Sequence, residues 1–159
     1  VLKDAIFDED QAYRYKLIRS WDVHKPHMNF VMLNPSVADD KIDDRTISRC
    51  MKFAERENCG GIIVYNLFAL RSTDPKQLYR HVDPIGPQND DYLRLLFRNP
   101  CGPVIAAWGT HGSFMSRESE VLAMARNAGC KLKCLGQTKA GHPRHPLYLK
   151  GDSPLCDIL

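Results

Sequence analysis

Asn34, Asn66, Trp108, His142 and His145 are the side chains whose types and neighbours can do chemistry in this chain. Each asparagine closes an apolar run, Phe30-Val-Met-Leu before Asn34 and Ile62-Ile-Val-Tyr before Asn66. A carboxamide donates and accepts at once, which matches the amide-like edge of a nucleobase. Phe68, Tyr65 and Trp108 offer flat faces for a ring to stack on, and Ser36 and His111 add further hydrogen-bonding groups close to Asn34 and Trp108. Lys139 and Arg144 share a segment with both histidines and supply cations of the kind that hold phosphates. Together these types point to recognition of a base. Each residue also has a purely structural reading: Asn34-Pro35-Ser36 as a strand-to-helix turn with a capping serine, Phe68 and Trp108 as core, and Asn66 as a turn former.

Such side chains act together only if the elements carrying them end at one place. Phe30 to Leu33 is too short for a helix and stops at Pro35, which fixes its own φ and pushes Asn34 towards an extended conformation. Ile62 to Leu67, Val104 to Trp108 and Lys131 to Leu135 predict further buried strands. Between them, Asp43 or Asp44 can cap a helix with Ile47, Cys50, Met51 and Ala54 on one face, ended by Asn58-Cys-Gly-Gly61. Asn89 or Asp90 can cap a helix bearing Leu93, Leu96 and Phe97. Ser116 can cap one bearing Val121, Leu122, Ala125 and Ala128, closed by Gly129. Ala12 to Trp21, with Tyr13, Tyr15 and Leu17 in period two, predicts an antiparallel edge strand that returns through the short link Asp22 to Asn29. The expectation is one α/β domain over 1–159, a three-layer α/β/α sandwich with a mostly parallel central sheet. Parallel strands would deliver the loops after Leu33, Tyr65, Trp108 and Leu135 to the same sheet edge, where open α/β sheets bind ligands.

The chain has 159 residues and a formal charge of +3. That length suits one domain with a real core. The charge is uneven: Val121 to Lys150 holds no acidic residue but contains Arg126, Lys131, Lys133, Lys139, Arg144 and Lys150, an electrostatic footprint for nucleic acid or a solvated face. The start Val-Leu-Lys-Asp has no signal-peptide pattern and no apolar run reaches membrane-spanning length, so the six cysteines are expected to be reduced in a cytoplasmic protein without a membrane partner. Their spacing fits no zinc site. The phosphate loop of nucleotide triphosphatases and the dinucleotide fingerprint are both missing, and neither cofactor nor metal is expected. Asp39, Asp40, Asp43 and Asp44 leave open a metal-dependent phosphoryl-transfer or phosphodiester hydrolase chemistry, although capping explains at least one of them more simply.

Read as blocks, Phe30-Val-Met-Leu-Asn-Pro-Ser, Asn66-Leu-Phe-Ala, Gly86-Pro-Gln-Asn-Asp, Ala107-Trp-Gly-Thr-His-Gly and Gly141-His-Pro-Arg-His-Pro-Leu-Tyr-Leu resemble the bacterial and phage family called domain of unknown function 1643. In the same order, and more distantly, they resemble the uracil-DNA glycosylase superfamily. That resemblance implies a uracil-DNA-glycosylase-like fold and a DNA partner. It further implies that Asn34 positions the attacking water, that Asn66 reads the base with Phe68, Ser36, Trp108 and His111 around it, and that His142 or His145 stabilises the departing base. Lys139 and Arg144 would hold flanking phosphates. Where the most active members carry an aspartate in the first motif this chain has Asn34, so a strong water-activating base is missing unless Asp39 or Asp40 serves. The implied function is a DNA glycosylase acting on an unusual or modified base. A non-catalytic nucleic-acid or nucleotide-binding module using the same basic loop is the alternative.

Overall fold

A computed structural model describes residues 1–158. The apolar segments form strands whose alternate residues face opposite sides. In β3, His27–Met32, Phe30 and Met32 face one core, and Val31 faces another. The first core is closed by helix α1, Arg45–Arg56, through Ile47, Cys50, Phe53 and Ala54. The second is closed by α2, Asn89–Arg98, through Leu93, Leu96 and Phe97, and by α3, Arg117–Asn127, through Val121 and Ala125. Helices therefore flank the sheet on both faces.

The other strands are β1 (Leu2–Phe7), β2 (Arg14–Ser20), β4 (Gly61–Asn66), β5 (Val104–Ala106), β6 (Leu132–Cys134) and β7 (Cys156–Asp157). They lie in the order β1-β2-β4-β3-β5-β6-β7. The inner strands β4, β3, β5 and β6 are parallel, whereas the pairs β1–β2, β2–β4 and β6–β7 are antiparallel. The sheet is thus mixed, which corrects the expectation of a mostly parallel one. The parallel strands are the buried, apolar ones that sequence patterning detects. Exposed β1 and the two-residue β7 carry no such pattern.

The strand read as a hairpin partner of β3 is also placed differently. β2 pairs with β4 and β1, with Leu17 opposite Val64. Between Ile6 and Phe7 the register shifts, so that Ile6 faces Lys16 but Phe7 faces Arg14. This bulge leaves Tyr15 as an extra residue in β2 and turns Arg14 over. Tyr15 stacks on Tyr92 of α2, 5.2 Å between centroids, while Arg14 points to the α1 side and donates to the carbonyl of Ala38 at 3.0 Å.

Helix ends follow local chemistry. The Asp44 carboxylate accepts the N–H of Ile47 at 2.8 Å and starts α1. Asn58, at φ 56°, and the bond from Cys59 N to Ala54 O end it. Neither Asn89 nor Asp90 caps α2; Gln88 occupies that position without a side-chain bond. Asn89 is fully buried and donates instead to the carbonyls of Asn66, at 2.9 Å, and Leu67, at 3.1 Å. Arg117, also fully buried, donates to the Leu67 carbonyl at 2.8 Å and pairs with Asp90 and Glu120. The end of β4 is therefore held through its backbone by two helices. Ser116 stands at the start of α3 with φ 54° and makes no capping bond.

Candidate functional site

The inner strands do end at a common edge, and a cleft of about 630 Å³ opens there. Its walls come from the ends of β3, β4 and β5, the first turn of α1, the segment 72–75 and the loop that runs to Tyr148. Its size lies in the range of small-molecule sites.

Asn66 lines this cleft at 1% exposure, and both its Nδ2 and its Oδ1 are buried without a hydrogen-bond partner among the described residues. A buried amide left unpaired costs about 1–3 kcal/mol. Because Asn89 and Arg117 grip the carbonyls of Asn66 and Leu67, the backbone is satisfied while the side-chain donor and acceptor, at the cleft wall, are matched by no group among the described residues.

Asn34 lines the same cleft, half-buried. Its Nδ2 is ringed by the carbonyls of Pro35 at 3.0 Å, Ser72 at 2.9 Å and Leu70 at 3.4 Å. Three acceptors around one nitrogen fix the orientation of the amide. They clamp the loop after β3 to the loop after β4 and leave Oδ1 as the atom able to meet a ligand. Ser36 follows on the same wall.

Trp108 forms another wall. Its ring needs Gly112, where a β-carbon would stand 2.3 Å from the indole Cδ1. Its Nε1–H donates to Glu118 at 2.9 Å, and the other oxygen of Glu118 accepts from His142 Nδ1, also at 2.9 Å. His142 is thereby turned onto α3 and lies outside the cleft lining. His145 is in the lining. Its Nδ1 accepts the N–H of Leu147, so the neutral ring carries its proton on Nε2. Burial pushes its pKa below the ordinary value, partly offset by the Asp44 carboxylate. His111, exposed at the rim, is hydrogen-bonded through Nδ1 to the Tyr79 hydroxyl at 2.6 Å.

The remaining expected residues are spread around this centre. Arg144 is exposed and lines the cleft, whereas Lys139 is exposed outside the lining. Phe68 is fully buried in the second core against Phe114, 5.7 Å between centroids, and does not reach the cleft. Two charged residues join the site that sequence reading did not place there. Arg14 reads as the polar side of an alternating strand and enters the lining only through the bulge. Asp44 reads as a cap, and while capping α1 it is also the carboxylate in the cleft lining. Glu118 carries no sequence signal at all, because its role arises from the approach of α3 to the end of β5.

Asp43 is engaged by Arg19 at 2.6 Å and Lys3 at 3.1 Å, and Asp39 accepts the backbone N–H groups of Lys41 and Ile42. These bonds hold the carboxyl of Asp39 below its usual range. Among the described residues no three His, Cys, Asp or Glu side chains converge as a metal site, and no helix is long and apolar enough to cross a membrane.

No curated protein and no solved structure matches the chain. A family model does, over residues 14–147, from the buried arginine of the cleft to the loop that closes it. That span includes every cleft-lining residue except Tyr148. On this match the chain belongs to the family described as Protein of unknown function (DUF1643).

Proposed function

We propose that the cleft binds a nucleobase carried by DNA and hydrolyses the bond between an unusual or modified base and its sugar. The observation that carries this reading is the Asn66 amide, buried and unpaired on both atoms at the end of a central strand. A planar ligand presenting one acceptor and one donor satisfies it, and the edge of a pyrimidine or purine is such a ligand. Trp108 supplies an aromatic wall, and the likeness of the sequence blocks to uracil-DNA glycosylases supports the same assignment.

Water placed on Asn34 Oδ1 would attack the anomeric carbon, and the C–N bond would break with its electron pair moving to the base. His145 Nε2–H donates a hydrogen bond to the negative charge that develops there. Asp44 takes the proton released from water. His145 fits this role better than His142, whose imidazole is held by Glu118. A reading as a non-catalytic nucleotide-binding module is favoured by one observation. The Asn34 Nδ2 bonds clamp two loops together, a purely structural task.

The test is incubation of the protein with duplexes bearing uracil, mismatched bases or phage-type modified bases, followed by detection of abasic sites. Product from at least one substrate, lost in Asn66→Ala, is expected. Retained DNA binding with no abasic product from any substrate would leave the binding module as the function.

A further inference from the structure

Arg14 is 3% exposed and lines the cleft, yet its environment supplies little for a charged group. Its Nη1 donates to the Ala38 carbonyl at 3.0 Å, while Nε, equally buried, has no partner among the described residues. Burial lowers its pKa to about 10, with Asp44 opposing the shift, so it remains a cation at neutral pH. A buried guanidinium with open valences is unfavourable for folding alone. Its position is nevertheless built. Without the extra residue at Tyr15, strand alternation would place Arg14 on the opposite face from Leu17 and Arg19; the bulge brings it to their side. Bulges that re-aim a side chain are frequent beside functional sites.

From this geometry we infer that Arg14 is an anion anchor, holding a phosphate group of the nucleotide whose base meets Asn66. The inference rests on the base-recognition reading for its second half and adds the charge and class of the ligand. A guanidinium pairs with phosphate oxygens through parallel N–H bonds, and the hydroxyl-bearing Ser36 and Thr46 stand in the same lining. Arg144 at the rim adds a second, solvent-exposed cation. Among the described residues, Asn66 and Arg14 are the cleft-lining side chains with unpaired buried polar atoms, one neutral and one cationic, matching a base and a phosphate. The phosphate can come from a free mononucleotide or from a polynucleotide chain.

Calorimetric titration decides this. Wild type, Arg14→Lys, Arg14→Gln and Arg144→Gln are titrated with nucleosides, their 5′-monophosphates, inorganic phosphate and short single-stranded oligonucleotides. Wild type is expected to bind the phosphorylated form of a nucleoside about tenfold or more tightly than the nucleoside itself. Arg14→Gln should erase that preference and Arg14→Lys restore part of it. Arg144→Gln should produce a smaller, more salt-sensitive loss, because exposed charges are screened more than buried ones. Tighter binding of the monophosphate than of the oligonucleotide identifies a free nucleotide, and the reverse a strand. Equal wild-type affinity for nucleoside and monophosphate overturns the anchor while leaving base recognition standing. A phosphate preference removed by Arg144→Gln but untouched in both Arg14 variants also overturns it. Phosphate binding that depends on Arg14 without regard to the base keeps the anchor and removes base recognition, and no binding of any probe removes both. Should Arg14→Gln fail to fold, the wild-type comparison and Arg14→Lys decide.

Discussion

At the scale of single residues, the contrast between Asn66 and Asn89 separates a buried amide left unpaired at the cleft wall from one that ties two elements together. Both are buried amides, but the Asn89 side chain donates to two backbone carbonyls whereas that of Asn66 has no partner among the described residues. Asn89→Ala leaves buried groups unpaired and should cost about 1–3 kcal/mol, while Asn66→Ala removes an unpaired amide and should cost less than about 1 kcal/mol. Chemical denaturation of the two variants checks the ordering. His145 makes a pH-dependent contribution whose sign is set by burial. Its folded pKa lies below the ordinary 6.5, so on acidification the unfolded chain takes up the proton first. The stability it contributes is complete above about pH 6.5 and is lost as pH falls through the folded value. His145→Gln should therefore flatten the decline of thermal stability on the acid side of neutrality, as melting curves across that range would show. Asn34 and Asn66 were legible from sequence because each closes an apolar run. Which of His142 and His145 lines the cleft was not, since it depends on Glu118 reaching one imidazole from a distant helix.

At the scale of elements, α1 does two tasks with one residue. Asp44 caps the helix through its bond to Ile47 N, and the same carboxylate faces the cleft. Asparagine caps a helix about as well as aspartate but cannot accept a proton from water. Asp44→Asn should keep stability within about 0.5 kcal/mol and abolish formation of abasic sites, a separation visible when melting and turnover are measured on the same preparation. The cap and inner face of α1 could be read directly, because Asp44 and the spacing of Ile47, Cys50 and Ala54 are local signals. The start of α2 could not: Asn89 has the composition of a cap but is drawn inward by unsatisfied carbonyls at the end of β4. The same limit applies to Arg14, where a one-residue bulge reverses the face that alternation assigns.

At the scale of the whole molecule, the cleft lies at one edge of the sheet because β4, β3 and β5 are parallel and end together. Burial on both faces makes these strands continuous apolar runs, so the central architecture was readable without coordinates. Exposed β1 and short β7 add antiparallel edges that no hydrophobic pattern announces. The outcome is a mixed sheet with a cleft lined by the amides of Asn34 and Asn66, the carboxylate of Asp44 and the cations of buried Arg14 and exposed Arg144. The account depends on the amide of Asn66 being the group that meets a base, and isotope-edited NMR of that side chain tests this most directly. Titration of the labelled protein with nucleosides and nucleotides should shift the Asn66 Nδ2 proton resonances before others outside the cleft, with saturation at the same concentration as binding. A ligand that saturates the protein while those resonances stay unmoved would contradict it.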